Sequence, residues 1–291
     1  MTVRRFIGRE AELATLAGHL DRVRTGGAGR MVALRGRRQV GKSRLVEEFI
    51  RRSGTPAVFF TASRQSAADE LGVFRDAIVA SSTEGADVAA AGPLGSWEAA
   101  FTVAAAGATP GRPVVLVIDE LPFLVESEPA IEAIIQKVWD RHLEARPVLA
   151  ILIGSDLSTM GALNEYGRPL HGRAVEMLVH PLSPAEVGDM LSLPARDALD
   201  AYLVIGGFPR LAQAWHRGED VWRTLRRELQ TPESPLVVLG ERSLNAEFPP
   251  EMRARAVLQA IGSGERTFTA IRDRAGVSAK TLESTLASLA A

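Results

Sequence analysis

The chain has 291 residues, which is enough for two domains or for one large domain with an appendage. Its hydrophobic content (46%), charged content (24%) and formal net charge of -1 are ordinary for a globular protein, and this charge excludes a whole-molecule attraction to nucleic acid or anionic lipid. The absence of cysteine excludes disulfides, thiolate metal sites and cysteine nucleophiles.

The first residues, MTVRRFIGRE, lead into charged residues without the apolar core of a secretory signal. No apolar run in the sequence approaches the length of a membrane span. We therefore expect a cytoplasmic protein that does not use a membrane as a partner.

The first predicted elements are a helix and a strand. Residues 10–24 have helical spacing, with Leu13, Leu16 and Leu20 on one face. The sequence TGGAG ends this helix, and residues 31–34 follow as a buried strand.

A glycine-rich loop follows this strand and carries the pattern Gly36-x-x-x-x-Gly41-Lys42-Ser43, the P-loop signature. Glycines allow successive backbone N–H groups to approach phosphate oxygens, and the helix that starts near Lys42 adds its positive dipole end. The ammonium of Lys42 suits the β- and γ-phosphates, and the hydroxyl of Ser43 suits Mg²⁺. We predict that this loop binds a phosphate chain together with Mg²⁺. The predicted binding residues are Gly36, Arg37, Arg38, Gln39, Val40, Gly41, Lys42, Ser43 and Arg44.

The next segments alternate strands with helices. A strand from Ala57 is followed by a helix over residues 67–79, a surface loop over residues 81–95, and a helix capped by Ser96.

Three further strands are predicted, over residues 114–118, 148–153 and 175–178, with a helix over residues 130–143 and a capped helix from Ser183. Strands that alternate with helices indicate a parallel sheet covered on both faces, an α/β P-loop NTPase fold.

Polar residues follow two of these strands. Asp119 and Glu120 end an apolar strand, where Asp119 can hold Mg²⁺ and Glu120 can polarise an attacking water. Solvated acids at a strand end are the alternative. Ser155 follows the next strand and is interpreted as a contact of the γ-phosphate or the attacking water, or as a helix cap.

Strand patterns stop near Leu193, and short helices broken at glycines follow. From Pro249 the pattern becomes that of a helix-turn-helix, whose last helix begins at Ser278. We therefore divide the chain into a P-loop core (residues 1–190), a helical lid (191–247) and a partial winged helix-turn-helix (248–291).

The last part carries six basic and four acidic residues, which is only mildly positive. Such a module can place its last helix in a DNA major groove, or it can serve as a protein contact. DNA and a protein partner or second copy of the chain both stay open as partners.

The segments FIGRE, GRRQVGKS, VLVIDELPFL, ILIGSD, GRPLHGR and IGGFPRL, in this order, resemble the archaeal-type ATPase family of the STAND branch of AAA+ proteins. The resemblance covers nearly the whole chain; FIGRE and GGFP are its most specific parts. It implies ATP or ADP with Mg²⁺ as cofactors, and slow ATP hydrolysis that drives a conformational switch. Glu120, Lys42, Ser155 and Arg173 would be the catalytic residues.

The resemblance also implies roles for residues outside the P-loop. The residues expected beside adenine and ribose are Phe6, Ile7, Gly8 and Arg9, although spacing alone favours a simple lead-in to the first helix. Pro209, two residues after Gly207, matches a lid proline that packs near adenine.

Arg168 and Arg173 lie where related ATPases carry an arginine that senses the γ-phosphate, in the same chain or from a neighbouring subunit. Arg173 is the preferred candidate, and pairing of this arginine with Glu176 or with a loop carbonyl is the alternative.

In the family that the sequence resembles, a β-hairpin wing and a further C-terminal domain are expected after the segment that corresponds to STLASLAA, the last residues of the printed sequence. We therefore expect Leu282, Leu286 and Leu289 to be partly uncovered unless a partner covers them.

Two alternative functions remain open: a DNA-binding ATPase or loader of the origin-recognition type, and a nucleotide-bound interaction module that does not hydrolyse ATP. The five histidines show no metal-ligand spacing. Three tryptophans are expected in the core, namely Trp97, Trp139 and Trp222.

Overall fold

The computed structural model describes residues 6–290, apart from the side chains at positions 157, 158, 243, 246, 247 and 290. The chain divides into two compact units, residues 1–210 and 211–291. The boundaries at residues 190 and 247 remain predictions; in the structure, residues 191–210 group with the sheet.

The first unit is built on a five-stranded sheet whose strands all run parallel, in the order β2-β3-β4-β1-β5. The two strands in the middle of the apolar core, β3 and β4, are buried along their whole length, as central parallel strands should be. This sheet confirms the predicted α/β P-loop fold. The strands are β1 Arg30–Arg35, β2 Ala57–Thr61, β3 Val114–Asp119, β4 Val148–Gly154 and β5 Ala174–Leu178.

Helices cover both faces of this sheet. Val115 and Val117 of β3 pack on one face with Leu16 and Phe49, and the alternate residues of β3 join the larger cluster on the other face. The helices up to the unit boundary are α1 Glu10–Gly26, α2 Lys42–Ser53, α3 Ala67–Val79, α4 Gly85–Ala90, α5 Trp97–Ala104, α6 Leu121–Ser127, α7 Ile131–Val138, α8 Leu157–Ala162, α9 Pro184–Leu191, α10 Ala195–Ile205 and α11 Pro209–Ala212.

An aromatic cluster holds α3 and α5 on the sheet. The ring of Phe74 lies 5.2 Å from Phe60, 5.7 Å from Trp97 and 5.2 Å from Phe101, measured between ring centroids. All four side chains are buried, so this cluster removes a large apolar area from water.

Two local predictions need correction. The predicted surface loop over residues 81–95 contains α4, because Ala89 is fully buried and Gly85 packs directly against the backbone of Val103. The predicted helix over residues 130–143 is α7 followed by one π-helical turn, Trp139–Leu143.

Gly207 brings the chain back to the segment before α9. Its carbonyl accepts the N–H of Leu182 at 2.8 Å, its φ is +72°, and a Cβ at this position would collide with the Leu182 carbonyl. Gly27 has nearly the same φ, +70°, but open space where a Cβ would stand.

We therefore expect Gly207→Ala to destabilise the first unit by about 3 kcal/mol, and Gly27→Ala by about 1 kcal/mol, because only the former adds a collision to the left-handed backbone penalty. Urea unfolding of both variants measures the difference. Equal losses of stability would show that the close approach at Leu182 is not a constraint.

The second unit is helical throughout its described elements. Helices α14 to α16 share a small core formed by Val257, Ala260, Ile271, Ala275 and Leu282. The elements are α12 Val221–Leu229, α13 Pro235–Glu247, a 3₁₀ turn Pro250–Met252, α14 Ala254–Gly262, α15 Phe268–Ala275 and α16 Ala279–Ala290.

Two predictions in this unit are wrong. Leu282 was expected to be partly uncovered but is fully buried, since α14 and α15 already cover it, whereas Leu286 and Leu289 are only partly buried against the same core, as predicted. Trp222 is 73% exposed, because α12 turns this side chain outward, while Trp97 and Trp139 are buried as predicted.

Within the described part of the chain, none of the helices has the length and apolar character that crossing a membrane requires.

Candidate nucleotide site

One edge of the sheet gathers the residues that were singled out for chemistry. In the parallel register Arg35, the last residue of β1, pairs with Gly154 and Leu178, and Thr61 pairs with Asp119. Loops that leave the carboxyl ends of β1, β3 and β4 therefore lie at this common edge, where ligands bind in open α/β sheets.

The P-loop has the backbone that its glycines predict. Gln39 and Gly41 lie in the left-handed region, with φ of 64° and 95°, directly before α2 begins at Lys42. A Cβ on Gly36 would stand 2.5 Å from the carbonyl oxygen of Val179, so only glycine fits there.

Lys42 turns its ammonium back onto this loop. Its Nζ donates to the carbonyl oxygens of Gly36 (2.7 Å) and Arg37 (3.0 Å), and the residue is only 6% exposed. Burial lowers the pKa of Lys42 to about 8, although the carboxylates of Glu120 and Asp119 act in the opposite direction. The ammonium is thus a buried cation held by weak neutral acceptors and able to exchange them for phosphate oxygens.

Asp119 is a buried carboxylate that faces the P-loop. Burial raises its pKa, while the nearby hydroxyl of Ser43 and the N–H of Glu120, which donates to it at 3.0 Å, act against that rise. A carboxylate beside a hydroxyl, with a charge that the surroundings compensate incompletely, fits a hard cation. Ser43 and Asp119 would therefore hold Mg²⁺. Among the described residues, no group of three or more acidic, histidine or cysteine side chains could hold a metal ion.

Glu120 and Ser155 lie together across neighbouring strands. The Ser155 hydroxyl donates to both carboxylate oxygens of Glu120, at 2.9 and 3.2 Å. Glu120 has a left-handed backbone, with φ of 53°, immediately before α6. Ser155 does not cap α8, because Asp156 accepts the N–H of Thr159 instead.

The N-terminal segment contacts the P-loop through Arg9. The guanidinium of Arg9, only 4% exposed as a residue, donates to the carbonyl of Val40 at 2.9 Å. Its backbone N–H donates to the carboxylate of Glu186 at 2.8 Å, and a side chain on Gly8 would collide with that carboxylate. FIGRE thus contacts the P-loop through Arg9, and its role beside adenine and ribose stays a prediction. Of the other predicted residues, Phe6 packs beside the core near α1, and Ile7 is half-buried.

Glu186 is a residue of this site that sequence reasoning missed. Its second oxygen accepts the backbone N–H of Ser183 at 2.7 Å, which completes the capping box of α9. Burial raises its pKa, but the N–H groups of Arg9 and Ser183 outweigh this effect and hold the pKa below its usual value. The Ser-x-x-Glu spacing indicated the cap and carried no signal for the contact with Arg9.

Pro209 lies beside the P-loop, with its Cγ 3.7 Å from the position that a Cβ on Gly41 would take. Arg44 points away from the phosphate side and pairs with Glu47 on the exposed face of α2, at 2.9 Å.

Arg173 is not brought to this edge. It precedes β5, whose parallel pairing with β1 places it at the opposite end of the sheet from the P-loop. Its guanidinium binds both oxygens of Asp140 at 2.7 Å, and it also donates to the loop carbonyls of Pro169 (3.1 Å) and His171 (3.2 Å). Glu176 pairs instead with Arg35, at 3.0 Å. Arg168 pairs with Glu132. A role for Arg173 in the site of its own chain has no support in this arrangement, and a role in a neighbouring copy stays a prediction.

Comparisons with known proteins agree with this architecture. The Walker-type ATPase PABY2304 of Pyrococcus abyssi superposes with a TM-score of 0.64 at 19% identity, covering 98% of this chain and 89% of that one. The Aeropyrum pernix ORC2 protein in its ADPNP-ADP complexes superposes with a TM-score of 0.56 at 14% identity, covering 94% and 79%. At such identities these likenesses show the fold alone.

Sequence comparison finds the protein MJECL04 of Methanocaldococcus jannaschii, 25% identical over 274 residues, which are 93% of this chain and 57% of the relative. The chain thus spans little more than half the length of that relative. A model of the AAA ATPase domain (AAA_16) matches residues 5–151, which include the P-loop, Asp119 and Glu120. This chain, an AAA-type P-loop ATPase by sequence and by fold, belongs to the AAA ATPase domain family.

Proposed function

We propose that this chain is a nucleotide-dependent conformational switch of the STAND type, which binds ATP with Mg²⁺ and hydrolyses it slowly. The observation that carries the proposal is the convergence of a single lysine and two pairs of residues at one sheet edge: Lys42 on the P-loop, Ser43 with Asp119, and Ser155 with Glu120. These are a phosphate cation, a pair of metal ligands and a base with its hydroxyl partner.

Phosphate oxygens replace the carbonyls that Lys42 now contacts, which neutralises its buried charge better than neutral acceptors do. Ser43 and Asp119 would hold Mg²⁺, which supplies positive charge to the phosphate oxygens. Glu120 orients the attacking water and accepts its proton.

Ser155 supports slow, conditional hydrolysis. Its hydroxyl has one proton, which it donates to Glu120 in this arrangement. When the hydroxyl donates to the terminal phosphate instead, the carboxylate is no longer held toward Ser155 and can turn toward the attacking water. Binding of a nucleotide with a terminal phosphate thereby makes Glu120 available as the base.

A second candidate, an ATPase controlled by DNA, is favoured by the last helix of the second unit. At the start of α16 the exposed Ser278 bonds to Thr281, and Lys280 is exposed beside them without an ion pair among the described residues. This is where a helix-turn-helix presents groups to a major groove.

Steady-state ATP turnover, measured with no DNA, duplex DNA and single-stranded DNA, separates these candidates. We expect slow turnover that DNA does not change, which supports the switch. Turnover that rises with DNA, and returns to the basal rate in Lys280→Glu, would favour the DNA-controlled ATPase. Turnover that equals that of Glu120→Gln in every condition would leave a nucleotide-bound interaction module.

A further inference from the structure

Strained backbone marks a residue that the proposed function does not use. Among the described residues, six other than glycine have left-handed backbones, and four of them are Arg9, Gln39, Arg64 and Glu120. Such conformations cost energy and cluster at functional sites. Three of the four belong to the site already built, which leaves Arg64, with φ of 62°.

Arg64 belongs to the same edge of the sheet. It follows β2, whose last residues run beside β3, and the N–H of Ala62 donates to the carbonyl of Asp119 at 3.0 Å. Its guanidinium carbon lies 4.1 Å from the ring centroid of Phe123, and that of Arg38, from the P-loop, lies 5.7 Å from the same centroid. Two arginines from different loops thus share one aromatic ring.

Phe123 is in the first turn of α6, and its N–H donates to the carbonyl of Glu120 at 2.9 Å. The ring therefore stands one helical turn from the base, between the P-loop and the end of β2. We call Arg38, Arg64 and Phe123 the arginine clamp.

Both guanidinium groups are available to a ligand. Arg38 forms no ion pair with any described residue, and Arg64 pairs with Glu126, at 2.9 Å, where both side chains are more than half exposed. Exposed ion pairs contribute little to stability because water screens them, so an incoming phosphate competes easily for Arg64.

We propose that the arginine clamp binds the terminal phosphate of a nucleoside triphosphate and makes the site distinguish ATP from ADP. The proposal rests on the proposed function, because it requires the phosphate chain to lie on the P-loop with its end near Glu120. Guanidinium groups match the geometry of phosphate oxygens, and Arg173 stands at the opposite end of the sheet. The clamp would supply the terminal-phosphate contact that was expected of Arg173.

The test compares affinities for ADP and for a non-hydrolysable ATP analogue, AMP-PNP, by isothermal titration calorimetry with Mg²⁺. We expect the double variant Arg38→Ala/Arg64→Ala to bind AMP-PNP about 10-fold or more weakly and ADP within about 2-fold of the wild type, as charged hydrogen bonds to one phosphate predict. Phe123→Leu, which keeps apolar volume and loses the ring, is expected to reduce the AMP-PNP to ADP affinity ratio by a smaller factor.

Arg112→Ala is the matched control. Arg112 is an exposed arginine that also pairs with a glutamate, Glu84 at 3.8 Å. Because it precedes β3, it lies at the amino ends of the strands, opposite the P-loop. Its affinities for both nucleotides should equal those of the wild type.

Two results would overturn the inference alone: normal nucleotide binding with an unchanged AMP-PNP to ADP ratio in the double variant, or equal loss of affinity for both nucleotides. If the wild type bound neither nucleotide, the proposed function would fail, and the inference with it.

Discussion

Replacing Lys42 by alanine is expected to weaken ATP binding at least about 100-fold, because the site loses its buried cation at the phosphates. The loss should be seen with ADP as well, since Lys42 stands on the P-loop itself and faces more than the terminal phosphate. Calorimetric titration of both nucleotides with Mg²⁺ measures the effect.

The chain offers a sharp control for this change, since it contains only three lysines. Lys137 is on α7, half exposed, and its ammonium pairs with Glu98 at 3.3 Å. Lys137→Ala should bind both nucleotides like the wild type, and thermal unfolding of the two variants shows whether either has lost its fold. A folded Lys42→Ala protein with wild-type affinity would overturn the assignment of the phosphate site.

Replacing Glu120 by glutamine is expected to lower the turnover number by about 10²–10⁴-fold while ATP affinity changes little, since an amide cannot accept the proton of the attacking water. Glutamine keeps the size of the side chain and an oxygen that can accept from Ser155, so the local structure should survive. Turnover under saturating ATP, together with AMP-PNP affinity, separates the chemical step from binding.

Glu144→Gln is a suitable control, because Glu144 is an exposed carboxylate on the opposite side of the sheet, where its carbonyl accepts the N–H of Gly29. Its turnover should match that of the wild type. If Glu120→Gln retained the wild-type rate, Glu120 would have no role as the base, and the bound nucleotide would act without being hydrolysed.

The backbone strain at Glu120 gives this prediction a structural context. Glu120 holds a left-handed backbone at the junction of β3 and α6, and Pro122 lies in the first turn of that helix. This sharp turn points the carboxylate toward Ser155 on the neighbouring strand. Glutamine can adopt the same left-handed backbone at the same energetic cost. The wild type and Glu120→Gln therefore differ in whether residue 120 can accept a proton, and in little else.

The sequence by itself determined the parts of this protein that depend on neighbours along the chain. The P-loop is recognisable because strand, glycines, Lys42 and helix follow one another without a gap. Asp119 and Glu120 are recognisable because they end a wholly apolar strand, and the alternation of strands and helices predicted the parallel sheet.

Only the tertiary structure decided which distant residues meet. The register of β5 on β1 removed Arg173 from the phosphate edge, and the neighbourhood of β2 and β3 brought Arg64 to it. Arg9 and Glu186 are 177 positions apart, and neither carries a local signal for the other. The physical reason is that strand order and register set which loops share an edge, and they follow from packing of the whole sheet, whereas helix and strand periodicity is local.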